Sequence, residues 1–218
     1  MKTSIKILSA IAVLAATLVH AQAAIITNGN FANGLTDWTS TTTAGGEASS
    51  GNYNSNGWLA VAPPEGNTMA VIGGGATNSV VLSQSLPTLT VGTYTLSFAS
   101  AGIADYLANW SGQNPWNPSV LGIRATVTSG AGGATVLYDS GFTSTLQQDW
   151  EAYSGNFTLN STVNDAKINI AFENTAFGTT GSHAYIGVSN VSLIPEPSSF
   201  VMVLGGIGAF VIRRRRVA

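Results

Sequence analysis

From Gly92 to Phe98 the chain alternates: Tyr94, Leu96 and Phe98 are apolar, and Thr93, Thr95 and Ser97 between them are polar. The same period of two recurs in Lys167–Phe172, where Ile168, Ile170 and Phe172 are apolar. It recurs again where Leu121, Ile123, Ala125 and Val127 alternate with Gly122, Arg124, Thr126 and Thr128. Successive strand side chains point to opposite faces, so this pattern predicts strands with one dry and one wet face, as in antiparallel sheets packed on one side. Trp58–Val61, Thr68–Ile72, Ser79–Leu86, Ala134–Tyr138, Trp150–Leu159 and Tyr185–Leu193 are further strand candidates. No segment of helical period interrupts them, and the Thr/Ser/Gly-rich stretch Thr39–Ser50 reads as a linker. About nine short strands separated by Gly, Asn and Pro turns predict an all-β fold, an antiparallel β-sandwich of jelly-roll type.

The two ends of the chain follow different rules. Lys2 and Lys6 precede an apolar run, Ile7–Val19, and then Ala21-Gln22-Ala23. A charged start, a short apolar core and small residues in an A-x-A arrangement predict a secretory signal helix over residues 1–23, cleaved after Ala23. At the other end, Pro195-Glu196-Pro197 is followed by an apolar run, Phe200–Ile212, and by Arg213, Arg214, Arg215 and Arg216. Thirteen helical residues rise about 20 Å against a hydrocarbon core of about 30 Å. The run is short for a permanent span and reads as a short transmembrane helix acting as a temporary membrane stop, whose end the arginines would hold on the cytoplasmic side. The chain thus divides into residues 1–23, a domain at 24–193 and a tail at 194–218. Export by the signal peptide precedes retention in the membrane by the tail.

Removing the ends changes the charge picture. The domain keeps only Arg124 and Lys167 as cations against nine carboxylates, from Asp37 to Glu173. Such a domain has no basic patch to meet phosphates, which argues against nucleic acid as a partner. It contains no cysteine, so packing must hold it together without disulfides in an exported setting. Its residues are also poor in catalytic chemistry. His183 is the single histidine left after signal cleavage. Gly187-Val188-Ser189-Asn190-Val191 lacks the final glycine of a nucleophile elbow. Gly73-Gly74-Gly75 has no following lysine or helix and reads as a turn. Asp149 and Glu151, two apart at a strand start, are the one carboxylate pair with a glycosidase-like arrangement, and they read first as solvated strand-edge acids.

A richer stretch lies between the strands ending near Phe98 and beginning at Leu121. Asp105-Tyr106, Asn109-Trp110, Gln113-Asn114 and Pro115-Trp116-Asn117 bring three aromatics together with several amides. Sugars are recognised by flat aromatic faces on the pyranose C–H surface and by amides on the hydroxyls, so Tyr106, Trp110, Trp116 and Asn117 are candidate carbohydrate-binding residues. The alternative is that Trp110 and Trp116 pack down as a lid on the sandwich edge. Asn52-Tyr53-Asn54 with Gly57-Trp58 is a second candidate region.

Two resemblances add to this reading. The order of Pro195-Glu196-Pro197-Ser198-Ser199, the short apolar helix and the four arginines resembles the PEP-CTERM sorting signal, also called the ice-binding-protein C-terminal motif. The resemblance implies a membrane processing enzyme of exosortase type that recognises Pro195, Glu196 and Pro197, in an exopolysaccharide-producing Gram-negative bacterium. It implies no ice binding. The domain, through Asn28-Gly29-Asn30-Phe31, Gly34, Trp38, Gln84, Gly92–Phe98 and Asn190-Val191-Ser192-Leu193, resembles the galactose-binding-like, carbohydrate-binding-module superfamily. Many members of that superfamily hold a structural calcium through an acidic residue just after the opening Phe and another at the start of the last strand. Those positions here are Ala32 and Ser189, so calcium is not favoured, and no other cofactor is expected.

The expectation from sequence is therefore an exported, non-enzymatic protein of the cell surface or extracellular matrix, with a β-sandwich of structural or interaction type. The alternative is a carbohydrate-binding module that recognises exopolysaccharide through the Trp-rich segment. A glycoside hydrolase is a distant third.

Overall fold

The computed structural model describes residues 25–43, 46–52, 62–74, 79–103, 121–145, 149–174 and 184–196. The predicted signal helix and the apolar C-terminal helix lie outside them. Eleven strands are described: β1 (Thr39–Thr42), β2 (Glu47–Asn52), β3 (Thr68–Gly74), β4 (Val80–Ser85), β5 (Gly92–Ile103), β6 (Leu121–Ser129), β7 (Thr135–Asp139), β8 (Thr143–Ser144), β9 (Glu151–Leu159), β10 (Lys167–Asn174) and β11 (Ala184–Pro195). They form two antiparallel sheets, a β-sandwich. One sheet has the order β1-β4-β10-β6-β7 with β8 beside β6, and the other has the order β2-β3-β11-β5-β9.

The core lies between the sheets, where the alternating patterns meet. Val80 and Leu82, Ile123, Ala125 and Val127, and Ile168, Ile170 and Phe172 face it from the six-stranded sheet. Ala70, Ile72, Tyr94, Leu96, Phe98, Ile186, Val188, Val191 and Leu193 face it from the five-stranded sheet. Along β11 the inward parity switches from even (Ile186, Val188) to odd (Val191, Leu193). The cause is a β-bulge: Ser189 pairs Ala99 and Ser192 pairs Ser97, which leaves one extra residue on β11. Asn190 sits there with φ 56°, a left-handed conformation that asparagine tolerates better than most residues.

Strand edges on one side of the sandwich are closed by aromatic rings. Phe98 stacks on Tyr153 at 4.8 Å between centroids, and Phe157 lies between Tyr94 at 5.5 Å and Tyr138 at 5.2 Å. The hydroxyls of Tyr138 on β7 and Tyr153 on β9 hydrogen-bond to each other across the two sheets. Burial and this neighbour push the Tyr138 phenol well above its ordinary pKa. Gly155 lies directly beneath the pair, where a Cβ would come within 2.0 Å of the Tyr138 hydroxyl oxygen.

Three sequence expectations need correction. Thr39–Ser50 is not a linker: it supplies β1 and most of β2, one at the edge of each sheet. All four β1 side chains are exposed, so no apolar alternation marks the strand. The opening stretch Ile26–Trp38, which the superfamily resemblance implies is a strand and a turn, is a succession of bends and turns. Gly73 and Gly74 belong to β3, not to a turn.

Candidate functional site

The opening segment, residues 25–38, is held by side-chain amides. Asn28 donates through Nδ2 to the carbonyls of Gly34 (3.0 Å) and Thr36 (2.8 Å), and its Oδ1 accepts from the Asn33 N–H (3.1 Å). Gln84 of β4, nearly fully buried, pairs with both backbone groups of Thr27: its Oε1 accepts from N–H at 3.0 Å and its Nε2 donates to C=O at 2.9 Å. The same Nε2 reaches the Asp37 carbonyl at 3.2 Å. Phe31 is wholly buried, 5.4 Å from the Trp38 ring, and the indole N–H donates to the Asn28 carbonyl at 3.2 Å.

This segment docks against the bulge of β11. The Val191 N–H donates to the Gly29 carbonyl at 3.0 Å. A Cβ on residue 29 would lie 1.9 Å from the Val191 carbonyl oxygen, so only glycine fits. Asn28 (φ 49°), Phe31 (φ 56°) and Asn190 (φ 56°) are all left-handed, and for a bulky residue such as Phe31 that costs energy which its burial must offset.

Beside this junction, on the face of the five-stranded sheet turned away from the core, lies a cavity of about 470 Å³. Its floor is small: Ser97 and Ala99 of β5, Ala152 of β9 and Ser192 of β11. Asn30, Glu65 and Asn190 give it a polar rim, and Ile194, 41% exposed, adds an apolar edge. The cavity can therefore offer amide and carboxylate partners to hydroxyl groups. Further along the same face Met69, Val71, Ala101 and Ile103 form a small apolar cluster packed with Trp150 and Tyr185. The Tyr185 hydroxyl donates to Glu47 Oε2 at 3.0 Å.

The opposite outer face is different. Arg124 grips Asp139 through two hydrogen bonds, one from Nε to Oδ1 at 2.9 Å, and lies 4.0 Å from Glu173. The hydrogen bond from Arg124 holds the Asp139 carboxyl below its usual range, and Asp139 in turn raises the Arg124 pKa. Asn169 donates to the hydroxyls of Thr126 (3.3 Å) and Thr128 (3.1 Å).

Of the residues singled out from sequence, Tyr106, Trp110, Trp116, Asn117, Ala21, Ala23, Pro197 and Arg213 to Arg216 lie outside the described residues, as do Tyr53, Trp58 and His183. The ends of the Trp-rich stretch are placed: it leaves Ile103 of β5 and returns at Leu121 of β6, so it joins the two sheets. Pro195 and Glu196 are described, and they continue the last strand. Pro195 pairs with Tyr94, the Glu196 N–H donates to the Thr93 carbonyl at 2.8 Å, and the Thr95 hydroxyl donates to Glu196 Oε1 at 3.0 Å. Asp149 accepts the Trp150 N–H at 2.9 Å, a local turn contact. Sequence reasoning passed over Asn30, Glu65, Ser97 and Ser192 as site residues. Their signal was the run of small residues at outward positions of β5 and the parity break at Asn190.

The residues present do not fit the calcium that the superfamily resemblance implies. Ala32 offers no side-chain oxygen, and the Ser189 hydroxyl is engaged with the Thr68 carbonyl (3.3 Å) and Asn190 Oδ1 (3.2 Å). No group of three His, Cys, Asp or Glu residues among those described is placed to hold a metal. Among the same residues, no helix is long and apolar enough to cross a membrane.

No protein-family model matches the chain, and no curated protein matches it in sequence. Solved structures do resemble it. The apo form of a cyclase from Fischerella sp. is 19% identical with a TM-score of 0.60, covering 82% of this chain and 98% of its own. The xylan-binding domain CBM22-1 from Paenibacillus barcinonensis is 14% identical with a TM-score of 0.53, covering 82% and 98%. The carbohydrate-binding module TmCBM61, solved with β-1,4-galactotriose, is 15% identical with a TM-score of 0.52, covering 80% and 99%. At these identities the shared property is the fold alone, an antiparallel β-sandwich.

Proposed function

We propose that this protein is an exported carbohydrate-binding module whose ligand lies on the outer face of the five-stranded sheet. The observation that carries the reading is the cavity of about 470 Å³ on that face, with a floor of small side chains and a rim of Asn30, Glu65 and Asn190. Sugar sites combine such polar groups with flat apolar surface. The fold likeness to a xylan-binding domain and to a galactotriose-bound module supports it. The strand order supports the finer jelly-roll assignment, because β3-β11-β5-β9 faces β4-β10-β6-β7 and the chain crosses repeatedly between the sheets. This reading takes precedence over the purely structural one, which offers no reason for a walled cavity.

The protein acts by holding a glycan, without catalysis. The cyclase likeness is one of fold, and among the described residues that line the cavity Glu65 is the one carboxylate. The signal peptide at 1–23 and the PEP-CTERM-like tail deliver the module to the cell surface or the matrix, where the producer's exopolysaccharide is its ligand. An exosortase-type enzyme releases it from the membrane. Replacing Pro195, Glu196 and Pro197 by alanine leaves the sandwich folded and the chain unprocessed in the membrane fraction. Normal release of that variant would overturn the sorting assignment.

The binding assignment is tested by a glycan array and a polysaccharide pulldown with the full chain. Saturable binding is expected. A Trp110→Ala/Trp116→Ala variant of unchanged melting temperature shows whether the segment between β5 and β6 contributes. Absence of binding to every glycan, the producer's own exopolysaccharide included, would leave a structural surface protein in its place.

A further inference from the structure

A cation at a loop stabilises it by drawing several carbonyl oxygens towards one point. In this chain the oxygens of the opening segment are already gathered by donors. The Asn28 amide collects the carbonyls of Gly34 and Thr36. The Gln84 amide collects those of Thr27 and Asp37. The carbonyls of Asn28, Gly29 and Phe31 accept the N–H groups of Phe31, Val191 and Gly34 at 3.0–3.1 Å. Two hydroxyls extend the set between strands: Thr68 Oγ1 donates to the Asn30 carbonyl at 2.9 Å, and Ser189 Oγ shares its proton between the Thr68 carbonyl at 3.3 Å and Asn190 Oδ1 at 3.2 Å.

We infer that residues 25–38 form a metal-independent latch, in which the amides of Asn28 and Gln84 and the hydroxyls of Thr68 and Ser189 hold the carbonyl oxygens that a calcium ion would otherwise organise. Each donor is neutral and aims at an oxygen, so the segment closes without an ion and without carboxylates that would repel one another in its absence. Ala32 and Ser189 fit this arrangement. A methyl group and a hydroxyl donor stand where an acceptor-only carboxylate would face carbonyl oxygens. The latch also fixes Gly29 and Asn30, which line the cavity. The wall of the cavity is therefore indifferent to calcium and to chelators. The inference stands on the hydrogen bonds of the segment and holds whether or not the cavity receives a sugar.

The experiment is thermal unfolding of the full chain in millimolar EDTA and in millimolar calcium, with Asn28→Asp and Thr68→Val alongside. The native melting temperature is expected to agree between the two solutions within about 1 °C. In EDTA, Asn28→Asp, which keeps the shape and the acceptor for Asn33 but removes both donated bonds, is expected to lower it by about 5 °C. Thr68→Val, which removes one donated bond, lowers it by about 2–3 °C and serves if Asn28→Asp does not fold. A native melting temperature raised several degrees by calcium would overturn the inference. So would Asn28→Asp and Thr68→Val unfolding with the native protein in EDTA, since the donors would then hold nothing.

Discussion

The two outer faces of this sandwich are built from the same alternation and end in different chemistry. On the six-stranded sheet the outward polar groups satisfy one another: Arg124 with Asp139, and Asn169 with Thr126 and Thr128. Most of that face's polarity is thus paired within it, and Val136, opposite Thr128, and Phe142 stand exposed as apolar side chains. On the five-stranded sheet the outward positions of β5 shrink to Ser97, Ala99 and Ala101, and the bulge of β11 turns Asn190 to the rim of a cavity. The difference teaches that polar side chains alone do not mark a binding face. Small residues beneath an open space, walled by a pinned segment, mark it better.

The largest expected effect comes from the junction that builds the wall. Gly29→Ala places a methyl carbon 1.9 Å from the Val191 carbonyl oxygen, against backbone that cannot swing aside. It should destabilise the protein by about 3 kcal/mol or more, read as a lowered denaturant midpoint. An unchanged midpoint would mean that the opening segment does not dock on the bulge, and the contrast between the faces would lose its cause.

A smaller effect is expected where the sheets meet at their edge. Tyr138→Phe removes one hydroxyl of the Tyr138–Tyr153 pair and leaves the other half-buried without that partner. The expected cost is about 1–2 kcal/mol in urea unfolding, with glycan binding intact, because Tyr138 itself does not line the cavity, although Tyr153 does. Lost binding at full stability would move the site towards this edge.

The smallest effect belongs to the face of the six-stranded sheet. Arg124 and Asp139 are both substantially exposed, with side chains 45% and 32% accessible, so solvent screens their attraction. Asp139→Asn should cost about 0.5–1 kcal/mol at pH 7. Because Arg124 depresses the folded-state pKa of Asp139, its contribution is present above the unfolded value of about 4 and disappears as the pH falls through the lower folded value. Native protein and Asp139→Asn should therefore converge in stability once the pH has fallen below the depressed folded-state value of Asp139. A difference that persisted there would assign the effect to something other than the ion pair.

Much of the sandwich was legible from alternation alone, because β5, β6 and β10 each bury one face against the same core. The edge strands β1 and β2 were not. Thr39–Thr42 is exposed throughout, so its strand character comes from pairing with Val80–Ser83 and leaves no hydrophobic trace. The candidate site was legible only in pieces. Gly29 and Asn30 stood out in the opening motif, but their meaning depends on Val191, far away in sequence and adjacent across one hydrogen bond. Glu65 carries no local pattern at all. It becomes a rim residue because residues 62–67 lead into β3, beside β11. Tyr106, Trp110 and Trp116 were the most visible residues for sugar recognition, and they lie outside the described residues.

The most direct test of the difference between the faces is a calorimetric titration of an oligosaccharide selected on the array into three proteins: native, Ser97→Tyr and Thr126→Tyr. Ser97 lies in the cavity floor, and Thr126 faces outward from the other sheet. The account predicts that Ser97→Tyr loses at least about tenfold in affinity, roughly 1.4 kcal/mol, at an unchanged melting temperature, while Thr126→Tyr binds like the native protein. Native affinity in Ser97→Tyr, or an equal loss in Thr126→Tyr, would contradict it.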